Sequence, residues 1–250
     1  MISIVMPYWN RQWAATVGID SLARCYKKMD IEIVVVDDGS HEAFTITDSL
    51  PWPIQVIRMP LKTEPKNPCV PFNIGVAASK GDMVCLTNPE MLHYHPVLQI
   101  MLEELISIGM NGYVLTAVWS VDQGRWHQHS LHSKKHKNRV AGVRLRCGLA
   151  FHFFSLMYRS MWDKVGGMCE EYRDGAGYDD PDLALRLLKA GAEFRLRDDL
   201  VVWHPRIGAR ANFTKEMFEH NKEIFLRKWE KKSKDIESEQ RIEKEIQPCY

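Results

Sequence analysis

Ile31-Glu32-Ile33-Val34-Val35-Val36-Asp37-Asp38-Gly39-Ser40 is the stretch from which the fold can be read. Ile33 to Val36 are apolar and β-branched without alternation, which suits a strand buried on both faces of a parallel sheet rather than one at an edge. The strand ends in two carboxylates, a glycine and a serine. In open α/β sheets ligands bind in the crevice at the carboxyl ends of the strands, so Asp37 and Asp38 are site candidates by position. A turn followed by a helix cap would use the same Asp-Gly-Ser residues, and the stretch alone leaves both readings open.

Working outward, Ile2 to Met6 form a second apolar strand closed by Pro7-Tyr8-Trp9-Asn10. Val17, Ile19, Leu22, Ala23 and Tyr26 recur at helical spacing, giving a crossover helix between the two strands and so a βαβ unit. Further strands are expected at Ile54 to Ile57, at Met83 to Leu86 and at Tyr113 to Trp119, with helices over Pro71 to Ser79 and Val97 to Ile108. The strand at Met83 runs into Thr87-Asn88-Pro89-Glu90. Asp122 to Arg146 reads as a long loop holding Trp126, His127, His129 and His132, then a basic run through Lys134, Lys135 and Lys137. Beyond it, Phe151 to Tyr158 is a strand and Arg159 to Val165 a short helix. Asp179 to Ala190 is a helix with Pro181 in its first turn, and two strands flank Asp198-Asp199. From Thr214 the chain is charged and helical, an exposed tail or partner-binding helix.

Composition narrows the class. The chain has 250 residues, 45% of them hydrophobic, enough for one substantial core or a core with a smaller lobe. A net charge of +1 gives no global argument for a nucleic acid or membrane partner, so any such attraction is local. Six scattered cysteines form neither a zinc knuckle nor a disulfide framework, and no apolar run reaches membrane-spanning length. The expectation is a cytoplasmic, unexported protein with reduced thiols.

Pro7-Tyr8, Asp37-Asp38-Gly39-Ser40, Asn73-Ile74-Gly75, a strand ending in an acidic motif, and Gly177-Tyr178-Asp179-Asp180-Pro181-Asp182-Leu183 with Arg186-Leu187 follow in the order found in one family. The chain resembles family 2 glycosyltransferases of the GT-A fold over roughly Ile2 to His204. The resemblance implies an α/β protein whose Rossmann-like nucleotide-binding sheet merges with a smaller acceptor-binding region. The domain would span residues 1–213, with 1–118 as the nucleotide-binding half and 119–213 as the acceptor and catalytic half, and 214–250 would be the tail. It also implies transfer of a hexosyl or N-acetylhexosaminyl group from a nucleotide-sugar, foremost a UDP-sugar, to an acceptor hydroxyl with inversion.

The residues then take expected roles. Asp37 or Asp38 would accept hydrogen bonds from the base or ribose, Pro7 and Tyr8 would line the base pocket, and Asn73 belongs to the nucleotide-binding motifs. A diphosphate leaving group calls for positive charge, in this family usually Mn²⁺ or Mg²⁺ held by Asp-x-Asp. Here Asn88-Pro89-Glu90 replaces that motif, leaving Glu90, Asn88 and the strand-end His204 as candidate ligands and His93 and His95 as substitutes. Asp180 matches the family's general base and Asp179 its partner, although two acids in a first helical turn also stabilise the helix dipole. Trp126, His127 and His129 are candidate sugar contacts, with a packed aromatic as the plainer alternative for Trp126. The basic run points to an anionic acceptor, whether a glycan, a lipid phosphate or a nucleic acid. A nucleotidyltransferase, or a degenerate module that binds without turnover, would leave a similar sequence.

Overall fold

The structure is a computed structural model. It describes the chain except residues 47–48, 65, 123–124, 131–138, 141–142, 145–153, 206–212 and 240–250, and gives the backbone alone for 121–122, 125–130, 139–140, 143–144 and 230–239. In chain order come β1 (Ile2–Tyr8), α1 (Gln12–Tyr26), β2 (Ile31–Asp37), β3 (Ile54–Arg58), α2 (Cys69–Ala78), β4 (Met83–Thr87), α3 (Val97–Ile108) and β5 (Gly112–Asp122). Then follow β6 (Arg125–Ser130), the two-residue strands β7 (Arg139–Val140) and β8 (Val143–Arg144), β9 (Phe154–Tyr158) and α4 (Arg159–Val165). A 3-10 turn (Glu170–Asp174), α5 (Asp179–Lys189), β10 (Glu193–Pro205) and α6 (Lys215–Glu239) complete the chain.

Eight strands form one sheet in the order β10-β5-β9-β4-β1-β2-β3, with β6 also paired to β5. β2 lies between β1 and β3, parallel to both, and all seven of its residues are buried. Its side chains divide by the strand period: Ile33 and Val35 belong to the core shared with α1 and α3, whereas Val34 and Val36 belong to the core on the other face, where α2 lies on β2. Burying each of these side chains contributes about 1.5–3 kcal/mol, so the strand stabilises the cores on both faces of the sheet. β9 runs antiparallel to β4 and β5, which leaves β1, β2, β4, β5 and β10 pointing the same way. Their carboxyl ends share one edge of the sheet, and the site candidates lie there.

Three expectations need correction. Asp198-Asp199 do not separate two strands, because Arg197 binds the Asp199 carboxylate at 2.8 and 2.6 Å and the chain continues through a bulge as the single strand β10. Residues 125–130 are not loop but β6, antiparallel to the second half of β5. The helix after Thr214 is present, yet its first half is no exposed tail: Asn221, Ile224, Phe225 and Trp229 are buried. Their spacing makes one stripe down the helix, which the charged average composition conceals.

Candidate active site

At the end of β2 the two aspartates do different work. Asp37 is fully buried and both of its oxygens accept backbone N–H bonds, from Ser40 at 2.9 Å and Phe44 at 3.1 Å. It shapes the turn, as the plainer reading of Asp-Gly-Ser requires, and offers no open carboxylate to a nucleotide. Asp38 is paired instead with the Lys62 ammonium. Burial pushes the Asp38 carboxyl above the usual carboxylate range, against the opposing pull of Lys62. Tyr8 is buried with its ring edge-on to Phe44 at 5.0 Å, and burial raises its phenol pKa. Its packing is that of a core residue, while Pro7 beside it remains partly exposed.

Glu90, expected as a metal ligand, is 5% exposed and meets residues from two other strand ends. Its carboxylate is ion-paired with Arg11, and Oε1 lies 3.1 Å from His204 Nε2. Burial alone would raise the Glu90 pKa, but the His204 hydrogen bond and the Arg11 charge outweigh it and hold the carboxyl below its usual value. Two backbone features bring the three together. Leu92 and Trp203 exchange backbone hydrogen bonds at 2.8 and 3.0 Å, which draws the segment after β4 against β10. On the other side Gly18 of α1 allows close approach, since a Cβ there would come within 2.0 Å of the Pro89 carbonyl oxygen. The substitute ligands lie elsewhere: His93 is a core residue 2.9 Å from the Tyr26 hydroxyl, and His95 is exposed.

Asp179 and Asp180 open α5 and line a cleft of about 170 Å³ with Asn67, Pro68, Phe72, Asn88, Gly177 and Phe213. Asp179 is buried, accepts a 2.8 Å hydrogen bond from Asn67 Nδ2, and has its pKa raised by burial against that bond. Asp180 is only half-buried in the same wall. The loop before them is pinned by α6, where Asn221 Nδ2 donates to the Tyr172 and Gly177 carbonyls at 3.0 and 2.9 Å. Gly175 is needed for this contact, because a Cβ there would lie 2.1 Å from Asn221 Oδ1. Tyr178 completes the loop in the left-handed region at φ 68°, a conformation that costs a non-glycine residue of order 1–3 kcal/mol and occurs most at functional sites.

Asn73 is not brought to this edge. Its Nδ2 donates to the Met168 carbonyl and to Glu170, both at 3.0 Å, and its Oδ1 accepts from Met168 N at 2.8 Å. It therefore ties α2 to the loop after α4. Trp126, His127 and His129 belong to β6 by their backbone, and their side chains lie outside the described residues, as do Lys134, Lys135 and Lys137.

The family model for Glycosyl transferase family 2 matches residues 3–166, more than half of the chain. The chain belongs to glycosyl transferase family 2. A chondroitin synthase from Pasteurella multocida (strain Pm70) is 26% identical over 247 residues, covering 85% of this chain and 25% of that protein. An uncharacterized glycosyltransferase from Haemophilus influenzae is 28% identical over 90 residues, 36% of this chain and 29% of that one. The crystal structure of S. aureus TarS 1-349 in complex with UDP-GlcNAc superposes with a TM-score of 0.63 at 14% identity, over 88% of this chain and 64% of that one. This family 2 chain thus has the GT-A fold, and it spans little more than a quarter of the curated relatives it matches.

Family 2 enzymes commonly use a divalent cation, and the residues present here fit one poorly. Mg²⁺ and Mn²⁺ favour several free oxygen ligands, whereas the one carboxylate at this position is neutralised by Arg11. His204 Nε2 lies 3.1 Å from Glu90 Oε1, so that ring nitrogen faces the carboxylate. Among the described residues no three of His, Cys, Asp and Glu are grouped as a metal site. Arg11, Lys62 and Asn67 carried no recognisable motif. Arg11 follows the strand-closing Asn10 at once, and Asn67 immediately precedes Pro68 at the start of α2, so position was their only signal.

Proposed function

We propose that this chain transfers a sugar from a nucleotide-sugar to an acceptor hydroxyl by a single inverting displacement, with Asp180 as general base. The observation that carries this reading is the cleft at the carboxyl edge of the sheet, where Asp180 and Asn88 share one wall in a family 2 fold. The nucleotide enters beside the ends of β1 and β2, where Asp38 and Lys62 are the polar groups in reach, and its diphosphate lies toward Asn88 and the Glu90 cluster. Asp180 then takes the proton of the acceptor hydroxyl as that oxygen attacks the anomeric carbon from the side opposite the diphosphate. Asp179 stands behind it, with Asn67 fixing its carboxyl so that the first turn of α5 keeps its orientation.

TarS is described bound to UDP-GlcNAc and to UDP, which favours a UDP-linked hexose or N-acetylhexosamine as donor. The acceptor is anionic on the strength of the basic run at Lys134, Lys135 and Lys137. Mn²⁺ or Mg²⁺, the usual partner in the family, has little support in the Glu90, Asn88 and His204 donor set. Among the described residues Cys25, Cys69, Cys85 and Cys169 are free thiols, in keeping with a reducing cytoplasm, and no helix is long and apolar enough to cross a membrane. Incubation with a panel of nucleotide-sugars, followed by mass spectrometry and NMR of the products, tests the reading. A released nucleoside diphosphate with a sugar of inverted anomeric configuration is expected, and no turnover of any donor would refute it.

A further inference from the structure

The Glu90 cluster contains a cation of its own, the Arg11 guanidinium. One carboxylate faces one guanidinium, so the two cancel, and Asn88 adds a neutral side chain where a second carboxylate would be needed to attract a dication. The Arg11 side chain is 29% exposed and has five N–H donors, one of which is held by Glu90. A guanidinium anchored at one end and open at the other suits the paired oxygens of a diphosphate. His204 lies on the same carboxylate, with its Nδ1 3.5 Å from Ser120 Oγ, so Glu90 fixes both a guanidinium and an imidazole at the strand ends. Gly18 on one side and the Leu92 to Trp203 bridge on the other hold the Asn88 to Glu90 backbone that makes this possible.

We propose that Arg11, positioned by Glu90, binds the donor's diphosphate in place of a divalent cation, so that nucleoside diphosphates bind this chain without metal. The inference rests on reading the cleft as a nucleotide-sugar site. It differs from the family habit in assigning the charge that meets the leaving group to a side chain at the start of α1. Glu90 is then a positioning residue, and its carboxylate is not the place where a cation sits.

Calorimetry with UDP, GDP, CDP, ADP and dTDP, each in EDTA and in MnCl₂, tests it on the wild-type chain without relying on any variant. For whichever nucleotide binds, affinity is expected to agree within about twofold between the two buffers. Arg11→Ala should weaken that binding by about 10- to 100-fold, the usual range for a lost charge-assisted hydrogen bond, and Arg11→Lys should lie between. The thermal transition of each variant reports whether the fold survives. Binding that requires Mn²⁺ overturns the inference and leaves the site reading intact. Binding in EDTA that is indifferent to Arg11→Ala removes Arg11 from the role. Failure of all five nucleotides in both buffers overturns the inference and the site reading together.

Discussion

His93 has its ring out of water, 4.5 Å from Phe154, with Nε2 buried and lacking a hydrogen-bond partner among the described residues. Burial lowers its pKa to about 3. In the unfolded chain the imidazole titrates near 6.5, so on acidification the unfolded state takes up the proton first and the native state loses stability. That contribution is complete above about pH 6.5 and declines by about 1.4 kcal/mol per pH unit as pH falls toward 3. Glu90 adds to the same trend at lower pH, since its depressed pKa gives stability that is lost as the carboxylate is finally protonated. Urea unfolding of wild type and His93→Gln at pH 7.5 and pH 5 should show a smaller acid loss in the variant. Equal losses would mean that His93 is not the group responsible. The candidate site was legible residue by residue to different depths. Asp179 and Asp180 announced themselves by type and order, but Asp37 and Asp38 look alike in sequence and are separated only by their partners, backbone N–H groups for Asp37 and the Lys62 ammonium for Asp38. Arg11 was hidden because its partner is 79 residues away.

Most elements follow from period and composition. The unalternating apolar run of β2 placed it inside the sheet, and Arg159–Val165 forms the helix its sequence announces. What failed did so through tertiary contacts. The Arg197 to Asp199 pair keeps β10 extended where two acids suggested a turn, and β6 forms because β5 extends past β9 and leaves an edge to be paired. α6 illustrates how a helix can be charged on average and still carry structure. Asp182 accepts from Trp229 Nε1 at 2.9 Å and from Arg186 at 2.7 Å, so α6 is fastened to the helix that begins with Asp179 and Asp180. Asn221→Ala removes one of two donors from each of the Tyr172 and Gly177 carbonyls, which keep Gly175 N–H and Asn67 Nδ2, and the two lost bonds should lower unfolding free energy by about 1–3 kcal/mol. Turnover should fall as well, because the loop ahead of the two aspartates loses its anchor. Denaturant unfolding that places Asn221→Ala level with wild type would show that α6 merely covers the loop.

Across the whole molecule, the sheet direction does the gathering. Parallel β1, β2, β4 and β10 end at one edge, where Arg11, Asp38, Glu90 and His204 converge from distant parts of the sequence, and α5 adds its first turn to the cleft that Asn88 lines. The α/β class and the order of strands and helices were readable because they depend on local period and on the right-handed crossover rule. Which polar groups meet was not, because the meeting depends on crossovers and backbone approaches such as Gly18 against Pro89. Asp180 is the proposed base at this cleft. Its most direct test is turnover of the preferred nucleotide-sugar by Asp180→Asn, measured beside calorimetric affinity for the corresponding nucleoside diphosphate. A fall in turnover of about 10²-fold or more with unchanged nucleotide affinity is predicted, and turnover equal to wild type would contradict it.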